Sequence, residues 1–425
     1  MSNLKVLIVG ASIAGPTAAY WFARAGAQVT IIERFPQLRT AGQGIDIRSV
    51  GITVMRKMPG MEAAVRARCM HMDGISFVRG DGKAFATMTA SKDSKSQTLV
   101  SEFEILRGDL AQVLFDLTKN DDRIKYVFGE QVASMAQTGN GPIAVRFANN
   151  KLPTADYDLV VACDGATSRT RAMGLECGVR DHIKSTNSWA AYFTIEEDLL
   201  KGSKLSQLYS APGGRFLALG PDPNGATRAG LMGIGTSQVD ATQAFREAQR
   251  QGPEALKNYM ARYFAGSGWR SEEIIAAMME AEDFYASEIV QVKAPSLSKG
   301  RFVMVGDAGY SPCNFSGAGT SLALAGGYLL AGEIFRHRGD IPAGLQAYEE
   351  RMAPMIKDFQ QLAPGVPAII APQTAWGIQL RDMFLIVFAW ITALGKHFAW
   401  VGGLFASSLG EDKYGIPEYD WPNGG

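Results

Sequence analysis

The chain has 425 residues, which allows two or three domains that share a large core. Its 42 Lys and Arg residues balance its 42 Asp and Glu residues, so the basic excess typical of nucleic-acid-binding proteins is missing. The four cysteines have no C-x-x-C spacing, which argues against a zinc site or a disulfide scaffold and favours the cytoplasm.

The first predicted unit is a strand, a helix and a second strand. These elements cover Lys5–Val9, Ile13–Ala25 and Gln28–Glu33. The turn before the helix carries Gly10, Ser12 and Gly15 where G-x-G-x-x-G is expected. Gly10 permits a tight turn, Gly15 permits close packing of the helix, and the free N–H groups of a helix N terminus bind phosphate. We therefore predict a dinucleotide site at this turn, in which the small Ser12 is tolerated and Ile13 and Ala14 take part.

An acid ends the second strand of this unit. Glu33 can accept hydrogen bonds from the ribose hydroxyls of an adenosine, and it would repel a 2′-phosphate at the same position. Arg34 can flank the adenine. This unit alone does not distinguish FAD from NAD.

The following elements are predicted from hydrophobic periodicity and turn residues. They are a helix from Ile52 to about Cys69, a hairpin of Ile75–Val78 and Ala84–Met88, an exposed loop at Ser91–Gln97, a helix that begins near Leu106, and a buried strand at Asp158–Cys163.

From about Arg180 the sequence changes to short β-forming runs separated by the turns PGG and PDPNG. The runs are Trp189–Ile195, Leu205–Ser210, Arg215–Gly220 and Arg228–Gly235. They predict an inserted antiparallel sheet. At Arg301 the chain returns to a buried strand, which is followed by a glycine-rich loop and a helix. The predicted order is therefore a nucleotide-binding unit, an inserted sheet, and the nucleotide-binding unit again.

The run from Met383 to Gly395 is almost wholly apolar, and charged residues flank it. A bilayer span needs about 20 apolar residues, and this run is shorter. We therefore expect a buried helix that covers a pocket and no membrane span. We also expect no signal peptide, because the chain leads straight into a strand.

Three stretches beyond the opening turn resemble the fingerprints of the group A flavoprotein monooxygenases, the hydroxylases similar to p-hydroxybenzoate hydroxylase. They are EILRGDL, which contains Arg107, CDGATSRTR at Cys163–Arg171, and GDAGYSPCNFSGAGTSLALAGG at Gly306–Gly327. The resemblance covers nearly the whole chain. It implies an α/β fold with a Rossmann-like FAD-binding domain, an inserted antiparallel-sheet substrate domain and a C-terminal helix. The implied limits are residues 1–180 and 290–370 for the FAD-binding domain, 181–289 for the substrate domain, and 371–425 for a bridging helix and tail.

The same resemblance implies roles for individual residues. Asp307 would bind FAD, Arg107 would reach the FAD pyrophosphate, and Asp164 would lie near both FAD and a passing nicotinamide cofactor. For Asp164 a turn residue that caps the next segment is the alternative. The loop from Pro312, with Gly317, Ala318 and Gly319, would lie along the isoalloxazine.

Many members of the family carry two prolines in a row where this chain has SPCNFSG. This version, together with GQGIDIRSVG and the apolar C-terminal helix, resembles the subset that includes the tetracycline-inactivating monooxygenases. In that subset an equivalent of Asp46 lies near the flavin, an equivalent of Arg39 is a candidate NADPH contact, and a C-terminal helix bridges the domains and closes over the substrate.

The chain shows one dinucleotide motif, so NAD(P)H is expected to bind transiently. The resemblance implies that NAD(P)H reduces FAD, that O₂ adds at flavin C4a, and that the hydroperoxide hydroxylates an aromatic or polycyclic molecule. The cofactor carries this chemistry, so no catalytic side chain and no metal are expected. Substrate contacts are predicted from the inserted sheet. The candidates are Gln207, Tyr209, Arg215 and Met232.

Two alternatives stay open. One is an FAD-dependent reductase or halogenase on the same scaffold, although a lysine in a W-x-W-x-I-P-like setting, which is expected of such a halogenase, does not occur. The other is a non-catalytic FAD-binding protein, which the intact glycine loop at Gly317 and Gly319 argues against.

Overall fold

The fold is built on two large sheets in a computed structural model, which describes residues 4–39, 42–89, 102–236, 238–361, 369–394 and 414–422. The strands are β1 Lys5–Val9, β2 Gln28–Glu33, β3 Gly44–Asp46, β4 Gly74–Val78, β5 Ala84–Thr89, β6 Glu104–Leu106, β7 Ile124–Phe128, β8 Val132–Gln137, β9 Ile143–Phe147, β10 Ala155–Tyr157, β11 Leu159–Ala162, β12 Ile183–Ile195, β13 Leu205–Ala211, β14 Arg215–Pro221, β15 Thr227–Ile234, β16 Tyr285–Val292, β17 Ser298–Lys299 and β18 Phe302–Met304.

The helices occur between the strands and at the end of the chain. They are α1 Ala14–Arg24, α2 Val50–Arg56, α3 Met61–Arg66, α4 Arg107–Asp116, α5 Arg169–Leu175, α6 Gln243–Gln251, α7 Pro253–Phe264, α8 Ser271–Glu280, α9 Asp307–Tyr310, α10 Gly319–Arg336, α11 Ile341–Phe359 and α12 Ala375–Leu394.

The first large sheet has six strands in the order β17-β18-β11-β1-β2-β7. β1 pairs in parallel with both β2 and β11, and β11 pairs in parallel with β18. β1 and β11 are continuous apolar runs because helices and other chain segments cover both faces of this sheet. α1 and α10 pack against each other so closely that a Cβ on Gly327 would lie 2.8 Å from the nitrogen of Ala18. The predicted mixed α/β fold is confirmed.

The second large sheet has seven strands in the order β16-β12-β15-β14-β13-β4-β5. The four strands predicted from residue 189 onwards pair antiparallel at its centre. The predicted hairpin of β4 and β5 is also confirmed, and β4 pairs in parallel with β13. Two strands of this sheet therefore precede residue 181, the first residue of the expected substrate domain. Helices α6, α7 and α8 pack on one face of the sheet around Trp189, Phe245 and Phe264.

One expectation in this part of the chain is wrong, and one is untested. The single helix expected from Ile52 to Cys69 is divided into α2 and α3, because Pro59 and Gly60 lie between them and Gly60 has φ +82°. The loop expected at Ser91–Gln97 lies outside the described residues.

The apolar C-terminal run is helical but is not buried as expected. In α12, Arg381 and Leu385 are buried, whereas Met383 and Phe384 are 59% and 51% exposed. Among the described residues, α12 contacts the second sheet at β5 and β13. Within the described residues, no helix is both long and apolar enough to cross a membrane. The segment Tyr414–Trp421 packs beside α1 and α10.

Candidate functional site

The turn between β1 and α1 brings the helix N terminus against the sheet. Gly10 has φ +112°, and a Cβ there would lie 2.5 Å from the carbonyl oxygen of Cys163. A Cβ on Gly15 would lie 1.9 Å from the carbonyl oxygen of Gly10. Neither position therefore has room for a larger residue. α1 begins at Ala14 without a side-chain cap, so its first N–H groups are available to a ligand.

Ser12, the departure from the glycine motif, has a partner on another helix. Arg107 is the first residue of α4, and its Nη2 donates a hydrogen bond to Ser12 Oγ at 3.1 Å. The backbone N–H of Arg107 donates to the carbonyl oxygen of Gln43 at 3.0 Å. The serine hydroxyl thus holds a guanidinium group beside the N terminus of α1, where two positive features can face one anion. A glycine at this position could not do so.

Glu33 lines the same cleft. Its Oε2 accepts a hydrogen bond from the N–H of Ala11 at 3.0 Å, and its Oε1 accepts one from the N–H of Phe35 at 3.1 Å. These bonds fix the carboxylate at the carboxyl end of β2. The cleft is lined by Ala11, Ser12, Glu33, Leu38, Arg39, Arg107 and Ala111.

The two predicted arginines near Glu33 differ in their surroundings. Arg34 is exposed, and its guanidinium carbon lies 4.8 Å from the centre of the Phe35 ring. Arg39 lies 4.9 Å from the same ring and 5.8 Å from the ring of Tyr285 in the second sheet. Burial and the nearby Arg107 lower the pKa of Arg39. Arg39 is therefore placed where the cleft meets the second sheet.

The later glycine loop joins the opening turn in space. A Cβ on Gly306 would lie 3.1 Å from the Cβ of Ala14, so the start of α1 contacts the residue before Asp307. The side chain of Asp307 is exposed, although the protein atoms packed around its carboxyl group raise its pKa. Arg107 acts in the opposite direction on this pKa. A Cβ on Gly319 would lie 3.8 Å from Asp307 Oδ1 and 3.9 Å from the Pro312 ring. Asp307, Pro312 and Gly319 therefore converge on one point.

The backbone of this loop explains why it has a single proline. Cys313 has φ +76°, a conformation that proline cannot adopt because its ring holds φ near about −65°. The carbonyl oxygen of Cys313 accepts hydrogen bonds from Ser316 N at 3.3 Å and Ser316 Oγ at 2.9 Å, and Ser316 Oγ also accepts one from Ala318 N. Gly317 follows with φ +62°. The chain thus makes a tight turn that leads into α10.

Asp46 lies next to this turn. Two charged residues that the sequence did not single out, Arg48 and Glu104, lie beside it. Asp46 Oδ2 would lie 3.7 Å from a Cβ on Gly317 and forms an ion pair with Arg48 Nη2 at 3.1 Å. Asp46 Oδ1 is buried and has no hydrogen-bond partner among the described residues. Asp46 pairs directly with Glu104 across the β3–β6 ladder, so the two carboxyl groups share a face. The alternation in GIDIR and EIL was the signal that could have placed these three charges together.

Burial makes these acids hard to ionise. It raises the pKa of Glu104 to about 8, and the nearby Asp46 acts in the same direction. Burial also raises the pKa of Asp46, although Arg48 counteracts this effect. At neutral pH the pair therefore favours one proton on Glu104 and a charge on Asp46, next to the arginine.

Asp164 is turned toward its own helix. Its carboxylate accepts hydrogen bonds from Ser168 Oγ, from Thr170 N at 3.2 Å and from Thr170 Oγ1 at 2.9 Å, at the start of α5. This geometry corresponds to the capping alternative. Asp164 still lies beside the opening turn, since its Cα would be 3.2 Å from a Cβ on Gly10.

The four predicted substrate residues do not share one face of the second sheet. Tyr209 donates a hydrogen bond to the Ser267 carbonyl oxygen, and Arg215 Nη1 donates to the Ala265 carbonyl oxygen at 3.2 Å, both on the face covered by α6–α8. Gln207 pairs with Leu219, whose side chain is in the core under these helices, so it lies on the same face. These three residues therefore belong to the face that the helices cover, and their role as substrate contacts stays a prediction.

Met232 lies on the opposite face, against the glycine loop. It belongs to an apolar cluster with Ala190, Ile289, Cys313 and Phe315. Other residues of this face follow from the strand register and were missed in the sequence. They include Tyr192, Phe216, Ala218 and Gly230. The alternation of side chains along each strand could have identified them, once it was known which side the helices cover.

Comparisons with known proteins agree with this geometry. Residues 3–363 match the family model described as FAD binding domain. FAD-dependent monooxygenase asL4 of Sarocladium schorii is 34% identical over 94% of this chain and 96% of its own length. Monooxygenase CTB7 of Cercospora beticola is 29% identical over 99% of this chain and 98% of its own length. The solved structure of tetracycline destructase Tet(55) matches with a TM-score of 0.75 at 27% identity, covering 98% of this chain and 99% of that one.

Proposed function

The chain belongs to the FAD binding domain family and is an FAD-dependent monooxygenase, and from this premise we propose that it uses NAD(P)H and O₂ to hydroxylate an aromatic or polycyclic small molecule. The observation that carries the proposal is the contact between the glycine loop and the second sheet. Cys313 and Phe315 of the loop pack against Ala190 and Met232 of the sheet. A substrate on this apolar face would therefore lie beside the flavin ring, along which the loop is proposed to lie.

The residues of the cleft fit FAD. The turn at Gly10 and Gly15 leaves no space for a Cβ, and the start of α1 with Arg107 would face the pyrophosphate. Glu33 would accept from the adenosine ribose and Asp307 from a second hydroxyl of the cofactor. When bound, FAD supplies the redox chemistry, which is reduction by NAD(P)H and activation of O₂.

The turn at Gly317–Gly319 and Asp46 would lie along the flavin ring. Asp46 Oδ1 is a buried oxygen without a partner among the described residues, which is the expected state of a group that awaits a ligand donor. Arg39, between the cleft and Tyr285, suits the phosphates of a dinucleotide, including those of NAD(P)H bound transiently. The remaining task of the protein is to position the substrate and exclude water.

The substrate class is proposed from the residues on the loop-facing side. Tyr192, Phe216 and Met232 of the sheet offer aromatic and polarizable surface, and Phe315 of the loop adds to it where the loop covers part of this face. The name of the matched structure, tetracycline destructase, is consistent with a polycyclic substrate. A planar aromatic molecule is the ligand that this surface would bind best.

The test begins with the purified chain. The visible spectrum should show bound flavin, and NADPH and NADH oxidation should be followed with a panel of phenols and polycyclic antibiotics. A product heavier by one oxygen atom, detected by mass spectrometry, is the expected result. NAD(P)H oxidation with no oxygenated product from any compound would favour the reductase alternative.

A pair of variants tests the face assignment. Met232→Ala should change the substrate dependence of NAD(P)H oxidation, because Met232 faces the loop. Gln207→Ala is the matched control, since Gln207 belongs to the same sheet but to the helix-covered face. Equal effects of the two variants on substrate dependence would contradict the assignment.

A further inference from the structure

The loop that carries Pro312 is tied to the second sheet by two glutamine side chains from distant parts of the chain. Gln291 of β16 donates from Nε2 to the carbonyl oxygens of Pro312 at 3.2 Å and Gln360 at 2.9 Å. Gln360, which follows α11, donates from Nε2 to the carbonyl oxygens of Val292 at 2.7 Å and Ser311 at 3.3 Å. The Gln291 amide therefore links the loop to the residue after α11, and the Gln360 amide links the loop to β16.

The hydrogen bond from Gln291 to Pro312 is buried, the other three are partly buried, and the backbone supports all four. Gln291 is 8% exposed. Val292 N donates to the carbonyl oxygen of Ser311 at 3.0 Å, next to the point where the two amides meet. An amide donor buried without an acceptor would be costly, so this arrangement specifies the loop position relative to β16.

The same face of β16 contacts three parts of the site. Tyr285 lies under the guanidinium of Arg39, Ile289 packs against Cys313, and Gln291 holds Pro312. These residues occur at odd positions along the strand, so their side chains point to one side. β16 also pairs with β12, whose Ala190 belongs to the loop-facing surface of the sheet. The strand thus connects the surface proposed for the substrate with the loop proposed for the flavin.

We propose that Gln291 is a positioning residue, which fixes the Pro312–Cys313 turn against the substrate-facing sheet and thereby sets the surroundings of the flavin ring. The inference rests on the proposed function, because it takes this turn to lie along the isoalloxazine. Gln291 does not touch the reacting atoms in this proposal. It acts through the carbonyl of Pro312, with Gln360 as its partner.

Two variants of the full-length chain test this role. Gln291→Met keeps the approximate length and removes both donated hydrogen bonds, and Gln291→Glu also places a carboxylate against the two carbonyl oxygens. Both should shift the visible absorption bands of bound FAD, and both should raise the FAD dissociation constant by at least about five-fold. Far-UV circular dichroism should stay that of the wild type.

The matched control is Gln373→Glu. Gln373 also donates from Nε2 to a backbone carbonyl of the second sheet, that of Ile234 at 2.7 Å, but it has no contact with the loop among the described residues. This variant should lower thermal stability and leave the flavin spectrum unchanged. The control separates a general loss of sheet stability from a change at the flavin.

The outcomes distinguish this inference from the proposed function. Wild-type flavin spectra and affinities in both Gln291 variants would overturn the positioning role and leave the function intact. A wild-type chain that binds no FAD would overturn both. If the Gln291 variants do not fold, the test uses Gln360→Met, because Gln360 is half-buried and follows α11. An unchanged flavin spectrum in that variant would refute the positioning role.

Discussion

Replacing Ser12 with the glycine that the motif normally has should weaken FAD binding. The change Ser12→Gly recreates G-x-G-x-x-G, and a comparison of motifs alone would predict unchanged or tighter FAD binding. In the structure, however, Ser12 Oγ accepts a hydrogen bond from Arg107 Nη2 at 3.1 Å. Without the hydroxyl, the guanidinium loses the contact that holds it beside the N terminus of α1, and its side chain regains rotamer freedom.

The expected size follows from this single contact. Hydrogen bonds to charged groups contribute about 1.5–3 kcal/mol when they are well buried. Ser12 and Arg107 are only half-buried, so about 1 kcal/mol is the appropriate estimate after allowance for solvent. This energy corresponds to an increase of about five-fold in the FAD dissociation constant. Titration of the apoprotein with FAD, followed by quenching of flavin fluorescence, measures it directly.

A double-mutant cycle tests whether Ser12 acts through Arg107. Ser12→Ala in the wild-type background should weaken FAD binding, whereas in an Arg107→Ala background it should have little further effect. Ser12→Gly with unchanged or tighter FAD binding would refute the reasoning. Additive effects in the cycle would show that the hydroxyl binds the cofactor independently of the arginine.

Three further results are expected. Asp307→Ala should reduce FAD retention with no change in thermal unfolding of the apoprotein, because its side chain is exposed. Asp164→Ala should cost about 1 kcal/mol of stability through the lost hydrogen bonds to Thr170 in the first turn of α5. The reverse pattern would contradict both placements. Cys313→Pro should abolish FAD retention because proline cannot adopt φ +76°, and Cys313→Ala is the control that keeps the backbone free. Glu104→Gln should flatten the pH dependence of the melting temperature. Burial raises the pKa of Glu104 from 4.5 to about 8, so the folded chain keeps a proton that the unfolded chain releases, and this contribution to stability declines as the pH rises from about 5 to about 8. A wild-type slope in the variant over that range would show that Glu104 does not hold the proton.

The sequence predicted well those features that depend on local pattern. The parallel strands around Gly10 are continuous apolar runs, and the inserted strands alternate between clear turn signals, so both sheets could be recognised. The break at Pro59 and Gly60 was missed because apolar periodicity continues across it, although the two residues are themselves strong helix breakers. The partner of Ser12 could not be predicted, because Arg107 is 95 residues away and only the fold brings the two together.

Which face of the second sheet is available to a ligand could not be predicted from the sequence either. Alternation along β13 and β15 divides their residues into two sets, but it does not say which set meets a ligand. That choice is made by α6, α7 and α8, which come later in the chain and bury the set containing Tyr209. Met232 belongs to the other face, together with its strand partners Ala190 and Phe216, and it packs against the loop. The helices on one face of this sheet therefore decide which residues stay available on the other face, and the residue types alone carry little of that information.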